Sequence, residues 1–105
     1  MRENTIFQGA ATAIITPMTE AGVDYESFGR LIDWQIEQGI NALVIAGTTG
    51  EGSTLSDEEH REVFRYAIDR IVGRVPAIAG TGSNDTAYAI SLTECACELG
   101  YDAML

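Results

Sequence analysis

Short apolar runs alternate with longer stretches in which apolar residues return every three or four positions. Ala11-Thr12-Ala13-Ile14-Ile15-Thr16 is rich in β-branched residues and stopped by Pro17, which predicts a buried strand. Met18 to Gly22 reads as a polar loop. Asp24 is placed as an N-cap, with Val23 and Phe28 as a hydrophobic staple around it. Phe28, Leu31, Ile32 and Ile36 then recur at helical spacing until Gly39 stops the helix. Ala42 to Ala46 is apolar throughout, as a strand covered on both faces should be. Ser56 and Glu59 form a capping-box pattern, and Val63, Phe64, Ala67, Ile68, Ile71 and Val72 mark one helix face, closed by Gly73. Pro76 to Ala79 is a third short strand. Asn84 or Asp85 caps a third helix, which runs through Ile90, Thr93 and Cys97 to Gly100.

This strict β-α-β-α-β-α order predicts an α/β fold of parallel strands joined by helical crossovers. Two internal echoes support it. Ile45-Ala46-Gly47-Thr48 returns 33 positions later as Ile78-Ala79-Gly80-Thr81. Gly39-Ile40-Asn41-Ala42-Leu43 matches Gly100-Tyr101-Asp102-Ala103-Met104 in pattern: helix-ending glycine, bulky residue, polar residue, alanine, large apolar residue. The second copy opens a fourth strand near Asp102, and Leu105 falls inside it, so the domain over residues 1–105 is expected to be single and incomplete.

Chemistry concentrates where the strands run into glycines. Ala46-Gly47-Thr48-Thr49-Gly50-Glu51-Gly52 follows an apolar strand and precedes a helix. Such a turn gathers backbone N–H groups and hydroxyls in one concavity, a good receptor for a small carboxylate. An ordinary glycine-rich connection has the same composition, and both readings stay open on that ground.

Charge and composition narrow the partners. Six basic residues stand against sixteen acidic ones in 105 residues, a formal net charge of −10, which should repel nucleic acid and anionic membrane. All six basic residues are arginine, so the chain has no lysine. No apolar run approaches the ~20 residues that span a bilayer, and Met1 to Gly9 lacks an apolar signal-peptide core, so a cytoplasmic location is expected. Cys95 and Cys97, two positions apart on a helix, suit neither a mutual disulfide nor a shared metal.

Several motifs fail. Gly80-Thr81-Gly82 would need glycine at position 85 for a dinucleotide fingerprint, and no lysine follows either turn to make a P-loop. His60 is the only histidine, which excludes a multi-histidine metal site, and its place in the first turns of a helix predicts a surface residue. Glu51 could act as an acid or base, though a carboxylate near a helix start is commonly structural. No metal or organic cofactor is expected.

Taken together, Gly47-Thr48-Thr49-Gly50-Glu51, Thr54-Leu55-Ser56-Asp57-Glu58-Glu59-His60 and Ile78-Ala79-Gly80-Thr81-Gly82-Ser83-Asn84 resemble the N-terminal portion of the dihydrodipicolinate synthase family. The resemblance runs from Ile14-Ile15-Thr16-Pro17 to the last residue, and serine is usual at the position of Thr48 in the similar sialic acid lyases. It implies a (β/α)₈ TIM barrel with its site at the C-terminal ends of the strands, here with three complete βα units. It implies a Schiff-base lyase in which pyruvate, held on a lysine as an enamine, adds to aspartate semialdehyde. By the same resemblance Thr49 binds the pyruvate carboxylate, and Thr48 passes protons between tyrosines.

The Schiff-base lysine, the relay tyrosines and the arginine for the second substrate belong to a part of the family sequence this chain does not contain. The 105 residues alone are therefore expected to be inactive. Two other readings are a non-catalytic, self-associating fragment and a separate carboxylate-binding module; another pyruvate-dependent aldolase of the same superfamily is also open. A homo-oligomer is expected. Many family members are inhibited by lysine at a subunit interface, and His60 and Asn84 match that effector site. Tyr88 stands where the lysine-sensitive members resembling this chain have glutamate, and Gly52 and Asp57 replace the usual serine and histidine. By this resemblance the complete enzyme is expected to be weakly sensitive or insensitive to lysine.

Overall fold

The computed structural model describes residues 5–105; the first four residues, part of the stretch read above for a signal peptide, lie outside the described residues. Four strands form one parallel sheet in the order β1 (Ala11–Ala13), β4 (Ala42–Ile45), β5 (Ala77–Ala79), β6 (Ala103–Met104). Helices α1 (Tyr25–Glu37), α2 (Asp57–Ile71) and α3 (Thr86–Leu99) connect them. The expected α/β alternation is therefore the observed one.

Local chemistry sets the helix boundaries much as the pattern predicts. Asp24 caps α1 by accepting from the Ser27 amide at 3.1 Å. Ser56 and Glu59 close a full capping box on α2, at 3.1 and 2.9 Å. Asp85, not Asn84, caps α3. The end of α2 differs from expectation. Val72 itself takes the left-handed conformation at φ 50° and is exposed, so it leaves the apolar face assigned to it. Met18 to Gly22 is likewise not all loop. β2 (Met18–Thr19) and β3 (Gly22–Val23) pair antiparallel, a small hairpin that the two-residue strands were too short to announce.

The core lies between the sheet and its helix layer. Phe28 and Ile32 of α1, Val63, Phe64 and Ile71 of α2 and Leu92 of α3 are fully buried against Leu43, Ile45, Ala77 and Ala79. Strand residues alternate faces. Ala13, Val44, Ile78 and Ala103 are partners in register and form a row on the opposite face, where Ala13 is exposed.

The register treats the two echoes differently. Ile45 pairs with Ala79 and Val44 with Ile78, so the first echo is one residue out of phase. A one-residue offset flips a side chain to the other face: Ile45 enters the helix-side core and Ile78 does not. The second echo is reproduced bond for bond. Asn41 donates to the Ala10 carbonyl at 3.1 Å, and its side chain accepts from the Ala10 amide at 3.0 Å. Asp102 does the same to Ala77, at 2.9 Å both ways. Gly39 and Gly100, which precede them, both sit in the left-handed region that favours glycine.

Candidate functional site

The predicted strand over 42–46 ends at Ile45, because Ala46 turns out of the sheet in the left-handed region at φ 54°. That conformation is costly for a residue with a side chain. The turn closes on itself: Glu51 donates to the Thr48 carbonyl at 3.0 Å and Gly52 to the Gly47 carbonyl at 3.1 Å. The amides of Thr48, Thr49 and Gly50 have no acceptor among the described residues. Both threonines are exposed, so two hydroxyls and a short run of uncommitted N–H donors stand together. Glu51 is exposed and left-handed, and its side chain caps nothing.

The second turn leans on the first. Gly80 donates to the Ile45 carbonyl at 2.8 Å. A Cβ on Gly80 would lie 2.5 Å from the Ala46 carbonyl oxygen and 2.7 Å from Gly47 Cα, so only glycine fits. Thr81 and Gly82 both donate to the Leu105 carbonyl, at 3.0 and 3.1 Å. The buried Thr81 hydroxyl shares a 3.1 Å hydrogen bond with Thr93 of α3.

His60 joins the two regions, and here the sequence expectation is corrected. It is not a surface residue but 3% exposed, because the first turn of α2 lies under the second glycine turn. Its Nε2 is 3.2 Å from the Gly80 carbonyl oxygen. A carbonyl can only accept, so Nε2 carries the proton and Nδ1 is the bare nitrogen. That Nδ1 is buried with no partner among the described residues. Burial pushes the imidazole below its ordinary pKa, against the opposing pull of the Gly80 carbonyl and Asp57. The ring packs edge-on against Phe64 at 4.8 Å and Tyr88 at 6.3 Å.

Between the turns lies a cleft of about 720 Å³. Its lining brings Thr48, His60 and Asn84 together with Tyr88 and Gly52, while Thr49 lies outside that lining. At the rim, Arg61 donates to Asp57 at 2.9 Å and to Ser91 of α3 at 2.6 Å. Arg61 is the largest influence holding the Asp57 carboxyl below its usual range, and the nearby Tyr88 hydroxyl acts in the same direction. The first strand, expected over 11–16, ends at Ala13, and Thr16 beyond it is 2% exposed beneath Gly50. Its place in a Thr-Pro strand end was the one available signal. Among the described residues no group of three or more His, Cys, Asp or Glu could hold a metal ion, and no helix is long and apolar enough to cross a membrane.

Comparison with known proteins is consistent across sequence and structure. The model of the Dihydrodipicolinate synthetase family matches residues 6–105. A 4-hydroxy-tetrahydrodipicolinate synthase from Acetivibrio thermocellus is 55% identical over 100 residues, covering 95% of this chain and 34% of that protein. The crystal structure of a chloride-inhibited dihydrodipicolinate synthase from Acinetobacter baumannii, complexed with pyruvate, superposes with a TM-score of 0.90. It is 52% identical, over 95% of this chain and 34% of that one. The dihydrodipicolinate synthase of Aquifex aeolicus gives a TM-score of 0.90 at 47% identity, over 93% and 33%. The chain thus spans about a third of the length of the relatives it matches. Its sheet and helices are the βα units of a partial TIM barrel. With the family model covering the glycine turns and nearly all the rest, this chain belongs to the dihydrodipicolinate synthetase family.

Proposed function

We propose that this chain carries the carboxylate-binding turn of a cytoplasmic class I aldolase-type lyase, which condenses pyruvate with aspartate semialdehyde in lysine biosynthesis. The observation that carries the reading is the run of uncommitted amides at Thr48, Thr49 and Gly50 beside two exposed hydroxyls. A carboxylate accepts from such donors through both oxygens, and charge makes each bond stronger than a neutral one. The pyruvate bound in the Acinetobacter baumannii relative supports this choice of ligand.

In this reading Thr49 donates its hydroxyl to the pyruvate carboxylate and fixes the ketone above the sheet. A lysine amine adds to that ketone with loss of water, and proton loss from the methyl group gives the enamine that attacks the aldehyde. The chain has no lysine, so the amine comes from outside these residues, and the 105 residues alone are inactive. Thr48, whose hydroxyl both donates and accepts, relays the proton. His60 and Asn84 belong to an effector cleft, and the enzyme works as a homo-oligomer.

The test is Thr49→Val in the complete protein. The loss of one charge-assisted hydrogen bond, roughly 1.5–3 kcal/mol, should weaken pyruvate binding at least tenfold by calorimetry. Unchanged affinity would remove Thr49 from the site.

The face carrying Ala13, Val44, Ile78 and Ala103 favours a second property of the 105-residue chain. With Ile15 54% exposed, that face and the β1 edge leave apolar surface and unpaired backbone groups in water. The isolated chain should therefore self-associate or melt without cooperativity. A monodisperse monomer in the ultracentrifuge with a sharp calorimetric transition would contradict this.

A further inference from the structure

Thr16 lies three residues beyond the end of β1, directly under the turn that carries Thr48 and Thr49. It is 2% exposed, and its Oγ1 has no hydrogen-bond partner among the described residues. A Cβ built on Gly50 would lie 3.0 Å from Thr16 Oγ1 and 3.0 Å from the Ile14 carbonyl oxygen. The hydroxyl therefore rests against the Gly50 backbone, one residue beyond Thr49, with no side chain between them.

The ends of this contact are unequal in stiffness. Ile14 is tied to the sheet by its 3.2 Å bond to the Val44 carbonyl, and Pro17, whose own φ is fixed by its ring, accepts from Asp24 at 2.8 Å. The Thr48–Gly50 backbone has no such ties through its amides. Burying a hydroxyl without a partner lowers stability, and valine offers the same shape without that cost. The hydroxyl is thus out of place in the unliganded fold and well placed for a turn that shifts when it takes a ligand.

We propose that Thr16 is a positioning residue: its hydroxyl bonds the Thr49–Gly50 peptide when the turn above it closes on a carboxylate. This rests on the reading of that turn as the pyruvate site. Pyruvate draws the Thr48–Gly50 amides toward itself, and a peptide reoriented in this way presents a carbonyl or an N–H to Thr16 Oγ1. A hydroxyl serves in either case because it both donates and accepts. The ligand thereby acquires a link to the sheet, and the exposed turn becomes as fixed as β1.

The experiment compares Thr16→Val and Thr16→Ser with the wild type in the complete protein, using pyruvate itself as the probe. Thr16→Val should melt at or above the wild-type temperature without pyruvate, yet bind pyruvate about tenfold more weakly by calorimetry, one hydrogen bond's worth. Thr16→Ser, which keeps the hydroxyl, should restore the affinity. The opposite signs of the two effects separate positioning from mere support of the fold. Wild-type affinity in Thr16→Val would overturn the proposal while leaving the pyruvate site intact. So would a Thr16→Val protein that fails to fold or melts lower, since the hydroxyl would then be serving the unliganded structure. A wild-type protein that binds no pyruvate would overturn the site reading and this inference with it.

Discussion

The Nε2 of His60 lies 3.2 Å from the carbonyl oxygen of Gly80, so the first turn of α2 is bonded to the turn after β5 across twenty residues of sequence. The ring that makes this bond is buried, and burial favours its neutral form. Burial lowers the imidazole pKa from its model-peptide value of 6.5, with Asp57 and Arg61 as the facing charges and Tyr88 packed on the ring. A histidine depressed in the folded state adds stability above its unfolded pKa and loses it as pH falls below that value. The complete protein should therefore lose stability between pH 7 and about pH 5, and His60→Gln should flatten that slope. Urea unfolding at several pH values measures it. A slope unchanged in His60→Gln would remove His60 as its source.

Gly80 is the tightest point between the two turns. Gly80→Ala would drive a methyl group into the Ala46 carbonyl and Gly47 Cα, both backbone atoms that cannot rotate aside. The backbone must shift, which should cost about 1–3 kcal/mol. A calorimetric melting temperature equal to wild type would show that the turns are not packed as described. Gly39→Ala, with no neighbour within 4 Å but a φ of 92°, separates conformational strain from collision.

Asp33 of α1 holds Arg70 of α2 and, at 2.7 Å, Arg74 beyond its end. Hydrogen bonds from Arg70 and then Arg74 pull its carboxyl down to about 2. The lowered pKa means stability that is present above the unfolded value near 3.8 and lost as pH falls toward 2. Asp33 is part-exposed, so solvent screening reduces the effect to about 1 kcal/mol. Asp33→Asn should lose that amount at neutral pH and nothing at pH 2, as read from denaturant midpoints. Equal losses at both pH values would mean that packing, not charge, is responsible.

Tyr88 meets Asp57 at the rim of the cleft, and Arg61 already holds that carboxylate at 2.9 Å. A glutamate at position 88 would offer a full charge to the ammonium of an effector; a tyrosine at neutral pH does not. Burial and Asp57 push the Tyr88 hydroxyl pKa up further, so it stays neutral. The complete enzyme should be weakly sensitive or insensitive to lysine. Titrating lysine into an activity assay checks this, and strong inhibition at low concentration would show that the cleft recognises the ammonium by other groups.

Local chemistry was readable in the sequence wherever a short stretch carries all of its own causes. The capping box at Ser56 and Glu59 needs only four residues. The paired Gly39-Ile40-Asn41 and Gly100-Tyr101-Asp102 segments each end a helix in the left-handed region and bracket the neighbouring strand with one polar side chain. From these and the apolar runs, the α/β order and the places of the two glycine turns follow. Tertiary structure alone decided what depends on neighbours far along the chain. Ile45 and Ile78 look alike in sequence, yet cross-strand register sends them to opposite faces. His60 looks like a surface residue until the turn at Gly80 covers it, and Thr16 looks like a strand end until Gly50 settles on it. Burial is a property of what packs above a residue, and partners twenty to thirty-five positions away leave no local mark in sequence.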